Sequence, residues 1–267
     1  MNDNIRFELS FKNISQLEKK LNFCRSNNIK NINIPCKGLI KKELFSSTIN
    51  YISKNFHPLN VTYHYSLFHQ YSKNRNKSYQ DFLEFVKNSH ANKNYEILLV
   101  SGSNKKKNFN SIDALAHLQK EKNLKVKLGI AYNPYLKKYY KISTERERFA
   151  RKISTGLINS IWFQYGTDIN VLQNEVTHLK YVAKEEKLNL FGSLFIPSKQ
   201  FIARFKFRPW KEVYISKECL YSLENFFDFT KDLVSFYKKN NITPVIESDF
   251  SSSEKLDLVY SFLENER

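Results

Sequence analysis

Residues 125–165 read KVKLGIAYNPYLKKYYKISTERERFARKISTGLINSIWFQY, and they contain one full passage of strand, loop, helix and strand. Lys125–Tyr132 and Ser160–Tyr165 are short apolar runs rich in β-branched and aromatic residues, the composition of buried strands. Between them, Thr144–Thr155 spaces its apolar residues helically and opens with Thr144 three residues before Glu147, a capping-box spacing. It stops at Gly156, where a left-handed residue can close a helix. A strand, a helix and a second strand of these lengths make a βαβ unit with parallel strands.

The same alternation extends in both directions. Further strand candidates are Phe7–Phe11, Asn31–Pro35, Val61–Ser66, Glu96–Gly102, Leu190–Ile196 and Thr243–Glu247, giving eight in all. Helical spacing is read at Ser15–Asn27, Lys42–Asn55, Tyr79–His90, Ser111–Lys122, Asn170–Lys187, Lys217–Asn240 and Ser251–Glu264. Ser15 with Glu18 and Ser251 with Glu254 repeat the capping-box spacing. Eight strand–helix units in 267 residues predict an α/β fold, a single (β/α)8 TIM barrel. An open doubly wound sheet usually carries glycine in its first turn, and FELSFKNIS has none. With no Pro/Gly/Ser-rich linker, the chain reads as one domain over residues 1–267.

Composition narrows the function classes. Apolar residues make up 41% and aromatics 15%, enough for a large core, so wholesale disorder is excluded. No apolar run approaches membrane-spanning length, and MNDNIRFELS has no signal-peptide core, so a cytoplasmic protein with no membrane partner is expected. Cys24, Cys36 and Cys219 have no CxxC or CxxH spacing, which argues against a disulfide framework or a structural zinc. The net charge of +17 admits anionic partners. Only nine of the 43 basic residues are Arg, however, and Asn is abundant throughout, so compositional bias is favoured over a nucleic-acid role.

In such a barrel, chemistry sits at the C-terminal ends of the strands. Glu8 lies between Phe7 and Leu9, where burial would favour a protonated carboxyl suited to general acid work, or a structural carboxylate paired with Lys or Arg. His64 and His69, five residues apart across a strand end, suit hydrogen bonding better than a two-His metal site. Ser101-Gly102-Ser103 has the form of a phosphate-cradling turn, with weak specificity. Gln164, Ser193 and Glu247 complete the strand ends. After strand seven, Arg204-Phe-Lys-Phe-Arg208-Pro-Trp-Lys211 reads as a loop in which Lys206, Arg208 and Lys211 surround Trp210. That suits an anionic ligand with a flat ring, or a solvated loop whose Trp packs as a lid.

FELSF, LLVSGS, LGIAYNP, RKISTG, WFQYG and GSLFIPS, in this order, resemble the methylenetetrahydrofolate reductase family from about Phe7 to Ile196. The most specific stretch runs from Leu128 to Gln164. The resemblance implies a (β/α)8 flavoprotein holding FAD, reduced by NADH or NADPH, which passes hydride to methylenetetrahydrofolate. It casts Glu8 as the acid that protonates folate nitrogen, and Gln164 as the folate-binding glutamine. It places Ala131, Tyr132 and His64 against the flavin, and Arg151 and Lys152 against its diphosphate. Val100-Ser101-Gly102-Ser103 stands where the family usually has L-R-G-D, so Ser101 and Ser103 replace its arginine and aspartate.

The sequence therefore predicts a folate-linked oxidoreductase of one-carbon metabolism, with Glu8 as general acid. Gln164, Ser103 and Glu247 would hold substrate, while His64, Ser101, Gly102, Ala131, Tyr132, Arg151, Lys152 and Arg208 would hold cofactor. No metal is expected. The tetrahydrofolate substrate could carry a polyglutamate tail, and a homo-oligomer is left open. The alternatives are a methyltetrahydrofolate-dependent methyltransferase and a non-catalytic folate- or anion-binding barrel, including one that binds RNA.

Overall fold

A computed structural model describes residues 5–36, 42–56, 58–67, 74–90, 95–101, 110–121, 126–138, 142–182 and 187–264. Its eight strands are β1 (Arg6–Glu8), β2 (Asn31–Ile34), β3 (Asn60–Ser66), β4 (Tyr95–Val100), β5 (Lys127–Tyr132), β6 (Ile158–Phe163), β7 (Asn189–Leu194) and β8 (Ile242–Ile246). They follow one another in sequence order around a closed barrel. The pairings of β1 through β5, and of β7 with β8, are parallel and in simple register, as Glu8–Asn33, Asn33–Thr62 and Thr62–Glu96 illustrate. The fold is thus a (β/α)8 TIM barrel.

Among the described residues ten α-helices interleave: α1 (Ile14–Ser26), α2 (Lys42–Asn55), α3 (Arg75–His90), α4 (Ser111–Leu118), α5 (Ile142–Ile153), α6 (Ile169–Val182), α7 (Lys199–Phe207), α8 (Lys217–Tyr221), α9 (Leu223–Lys239) and α10 (Ser253–Glu264). The start of α1 is capped by Asn13, which accepts the Gln16 N–H at 2.9 Å, while the Gln16 side chain takes the Lys12 N–H at 3.0 Å. This replaces the expected Ser15 box. Ser252 caps α10 in place of Ser251, and Thr144 lies inside α5. Gly156 does adopt the left-handed conformation, with φ 66°. Among the described residues no helix is long and apolar enough to cross a membrane.

By packing, the chain falls into two compact units, Met1–Ala131 with Arg151–Ser160, and Tyr132–Ala150 with Ile161–Arg267. In the first unit, β3 shows how strand alternation sorts side chains. Tyr63 and Tyr65 point to the helices, where they meet Phe45 of α2 (ring centroids 6.0 Å apart) and Phe82 of α3 (5.1 Å). Thr62, His64 and Ser66 take the opposite face, towards the barrel interior. Deep on that face lies a buried polar layer. Arg6 donates to Asn33 Oδ1 at 2.8 Å, Thr62 Oγ1 at 2.7 Å and the carbonyls of Ile32 and Asn60. The Glu96 carboxylate accepts from Thr62 at 3.3 Å and from Ser160. A β4 side chain can reach one on β6 only across the lumen, so this layer fills the barrel.

The second unit is aromatic by contrast. Trp162 stacks on Phe191, with centroids 4.1 Å apart. The phenol of Tyr237 in α9 lies over Gly192 of β7 and donates to the Ser193 carbonyl at 2.9 Å. A Cβ at Gly192 would come within 2.3 Å of that ring, so only glycine admits the contact.

Candidate functional site

The first unit brings together two of the expected site residues. Glu8 closes β1 and is 5% exposed. His64 occupies the corresponding face of β3, and its Nδ1 lies 3.9 Å from Glu8 Oε2. That spacing makes an ion pair when the imidazole is protonated. At 3.9 Å the two groups are beyond direct hydrogen-bond reach, so their pairing is electrostatic. Burial pulls the Arg6 guanidinium below them down to about 10, against the opposing pull of Glu96. It is therefore a fixed positive charge in the interior at any physiological pH.

Ser101, after β4, is turned to a local task. Its Oγ accepts the Ser111 N–H at 3.1 Å and bonds the Ser111 hydroxyl at 2.8 Å, closing the start of α4. Gly102, Ser103 and His69 lie outside the described residues. Ala131, by alternation with Tyr132, turns its small side chain inward.

In the second unit, Gln164 follows β6 half-buried, its Oε1 accepting the Tyr165 N–H at 3.2 Å. Glu247 follows β8 and accepts the Ser193 hydroxyl at 2.5 Å. The Tyr132 side chain is committed elsewhere, with its hydroxyl donating to Glu175 of α6 at 2.5 Å. Arg146 of α5 grips the same carboxylate through two bonds of 3.0 and 2.7 Å. Although burial opposes it, these partners hold the Glu175 carboxyl below the usual range. The side chain expected against flavin instead ties a strand to two helices, so Tyr132 can offer a ligand only its backbone.

Two further expectations are corrected. Arg151 and Lys152 occupy the last turn of α5, which leads through Gly156 to Ile158, the first residue of β6. They therefore lie towards the N-terminal end of β6, opposite the strand ends where such barrels bind ligands. Arg151 is exposed and Lys152 is buried. The stretch read as a basic loop is half helix, because α7 covers Lys199–Phe207 with Ser198 as its cap. Lys206 lies over the Tyr221 ring, 4.4 Å from its centroid, and Arg208 is exposed at the helix end. Arg208 closes α7, in the stretch between β7 and α8.

Sequence reading missed the segment after α7. It returns to the loops that follow β5 and β6: Asn133 Nδ2 donates to the Glu212 carbonyl at 2.9 Å, and the Thr167 N–H to that of Tyr214 at 3.0 Å. The Ser216 N–H donates to Thr167 Oγ1 at 2.6 Å. Glu212, a non-glycine residue at φ 65°, marks the turn.

No family model and no curated protein sequence matches the chain. Solved structures do. One is an uncharacterised protein from Clostridium thermocellum that binds two copies of 5-methyl-5,6,7,8-tetrahydrofolic acid, with 12% identity over 97% of this chain and 93% of that one, TM-score 0.62. A GH10 endoxylanase retrieved from a sugarcane soil metagenome is 9% identical over 95% of this chain and 90% of its own, TM-score 0.58. Active domain 2 of a thermostable chitinase from Pyrococcus furiosus is 11% identical over 100% and 98%, TM-score 0.53. At these identities the likeness is one of fold.

Proposed function

We propose that the chain binds a reduced folate at its strand ends and interconverts 5,10-methylene- and 5-methyltetrahydrofolate, with Glu8 as general acid and NADH or NADPH as hydride source. The observation that carries this reading is the pair made by buried Glu8, at the end of β1, and half-buried His64, in the C-terminal half of β3. It stands on a fold that a 5-methyltetrahydrofolate-binding protein shares along 97% of this chain.

In the reductive direction Glu8 gives its proton to the folate nitrogen as the methylene bridge opens to an iminium. Hydride from the dinucleotide then adds to the iminium carbon, leaving a methyl group and oxidised NAD(P). A protonated His64 would stabilise the Glu8 carboxylate that this transfer leaves behind. The net charge of +17 would draw a polyglutamate tail by long-range attraction. No step is assigned to a flavin, since Arg151 and Lys152 lie at the wrong end of β6. A visible flavin absorbance in protein purified without added cofactor would overturn that part of the reading.

The test of the chemistry is turnover of methylenetetrahydrofolate with NADH or NADPH. Glu8→Gln keeps the shape and removes the transferable proton. It should cost roughly 10²–10⁴-fold in rate, the usual contribution of general acid catalysis, while folate affinity stays within a few-fold. Turnover unchanged in Glu8→Gln would end the assignment.

A further inference from the structure

The segment after β7 encloses a hollow of about 450 Å³ that the folate reading does not use. One wall is Phe205 of α7, and the other is the return strand of chain from Pro209 through Trp210 and Lys211 to Tyr214. That return is fastened by the Asn133, Thr167 and Ser216 hydrogen bonds and by the stacking of Tyr135 on Tyr214, with rings 21° apart. The hollow is therefore preformed, and its volume is that of a small-molecule site.

Trp210 meets Phe201 and Phe205 edge-on at 5.6 and 6.0 Å, and Phe195 at 5.3 Å, which fixes its ring plane. Even so, it remains 42% exposed. An immobilised, half-open indole is a stacking platform, since it orders no further rotamer when a flat ring settles on it. The local charge selects the sign of the ligand. Between residues 199 and 217 there are six basic residues and one acidic, Glu212, which lines the hollow beside Lys211 and pairs with it at 4.0 Å, while Arg208 is exposed at the nearby helix end.

We propose that this hollow binds a small planar heteroaromatic anion. Its purine or pterin ring would lie on Trp210, and its phosphate or carboxylate would face Lys211 and Arg208. None of these residues belongs to the proton-donating pair, so the inference stands apart from the folate chemistry.

Calorimetric titration of the whole protein with AMP, with 5-methyltetrahydrofolate and with inorganic phosphate tests it. At least one ring-bearing probe should bind with equal affinity in wild type and Glu8→Gln, and bind at least about tenfold more weakly in Trp210→Leu. AMP binding that weakens in Trp210→Leu would identify a nucleotide site, and a second folate-binding event lost in that variant a pterin site. Lys211→Glu should give a similar loss, and it leaves the aromatic packing intact should the leucine variant loosen α7. The proposal is overturned if neither ring-bearing probe binds, or if inorganic phosphate binds as tightly. It is equally overturned if every ring-bearing probe that binds keeps its full affinity in both hollow variants.

Discussion

Glu8 lies between Phe7 and Leu9, and period-two alternation is enough to send its carboxyl into the barrel while its neighbours face the helices. The sequence shows that much. It does not show that Arg6, two residues earlier on the same face, builds the layer beneath. The partners of Arg6 come from β2 and β3, which alternation within β1 does not identify. Arg6→Met should expose the consequence. It removes the hydrogen bonds to buried Asn33 and Thr62 and the cation that faces half-buried Glu96, and losing such a buried polar partner typically costs ~1–3 kcal/mol, read as a lower chemical-denaturation midpoint. A stability equal to wild type would mean the layer contributes nothing. Asp249 offers a test with a definite pH sign. Although partial burial opposes it, hydrogen bonds from Lys255 and Ser251 bring its carboxyl down to about 2. The folded value lies below the ordinary carboxylate value of about 3.9, so the stabilisation is present above that pH and disappears as pH falls through 2. Wild type should out-melt Asp249→Asn slightly at pH 6, by less than ~1 kcal/mol for so exposed a pair, and the gap should close near pH 2.

At the scale of elements, all eight strands were legible in their β-branched and aromatic runs, with ends displaced by a few residues. The helices were less so where polar composition masked periodicity. Arg204–Lys211 reads as a cationic loop, yet its first four residues close α7, where Ile202 and Phe205 are buried three residues apart and Ser198 caps Phe201. That spacing was the available signal. The single helix expected over Lys217–Asn240 is interrupted at Ser222, which ends α8 and caps α9. Arg151 and Lys152 show a different limit. Motif spacing identifies a helix end, but only the course of the chain reveals which end of the barrel it meets. Gly192 gives the sharpest test at this scale. Gly192→Ala sets a methyl group against the Tyr237 ring, and overpacking of this kind typically costs ~1–3 kcal/mol. An unaffected melting temperature would show that α9 can move away from β7.

For the whole molecule, +17 was the most conspicuous number in the sequence and the least informative about the site, whose chemistry depends on a few buried groups. The closed order of eight strands leads us to propose that the chain unfolds as one domain, despite its division into two compact units. Guanidinium unfolding followed by backbone circular dichroism and by the fluorescence of Trp162 and Trp210, both in the second unit, should give one coincident transition. Separate midpoints would contradict it. The central claim is that this barrel takes a reduced folate, and direct titration of the purified protein with 5-methyltetrahydrofolate tests it, with a chito-oligosaccharide as the control, since a chitinase shares the fold. Saturable binding of the folate that persists in the Trp210→Leu and Lys211→Glu variants, with none of the sugar, is the predicted result. No folate binding, or binding of the sugar alone, would contradict the account.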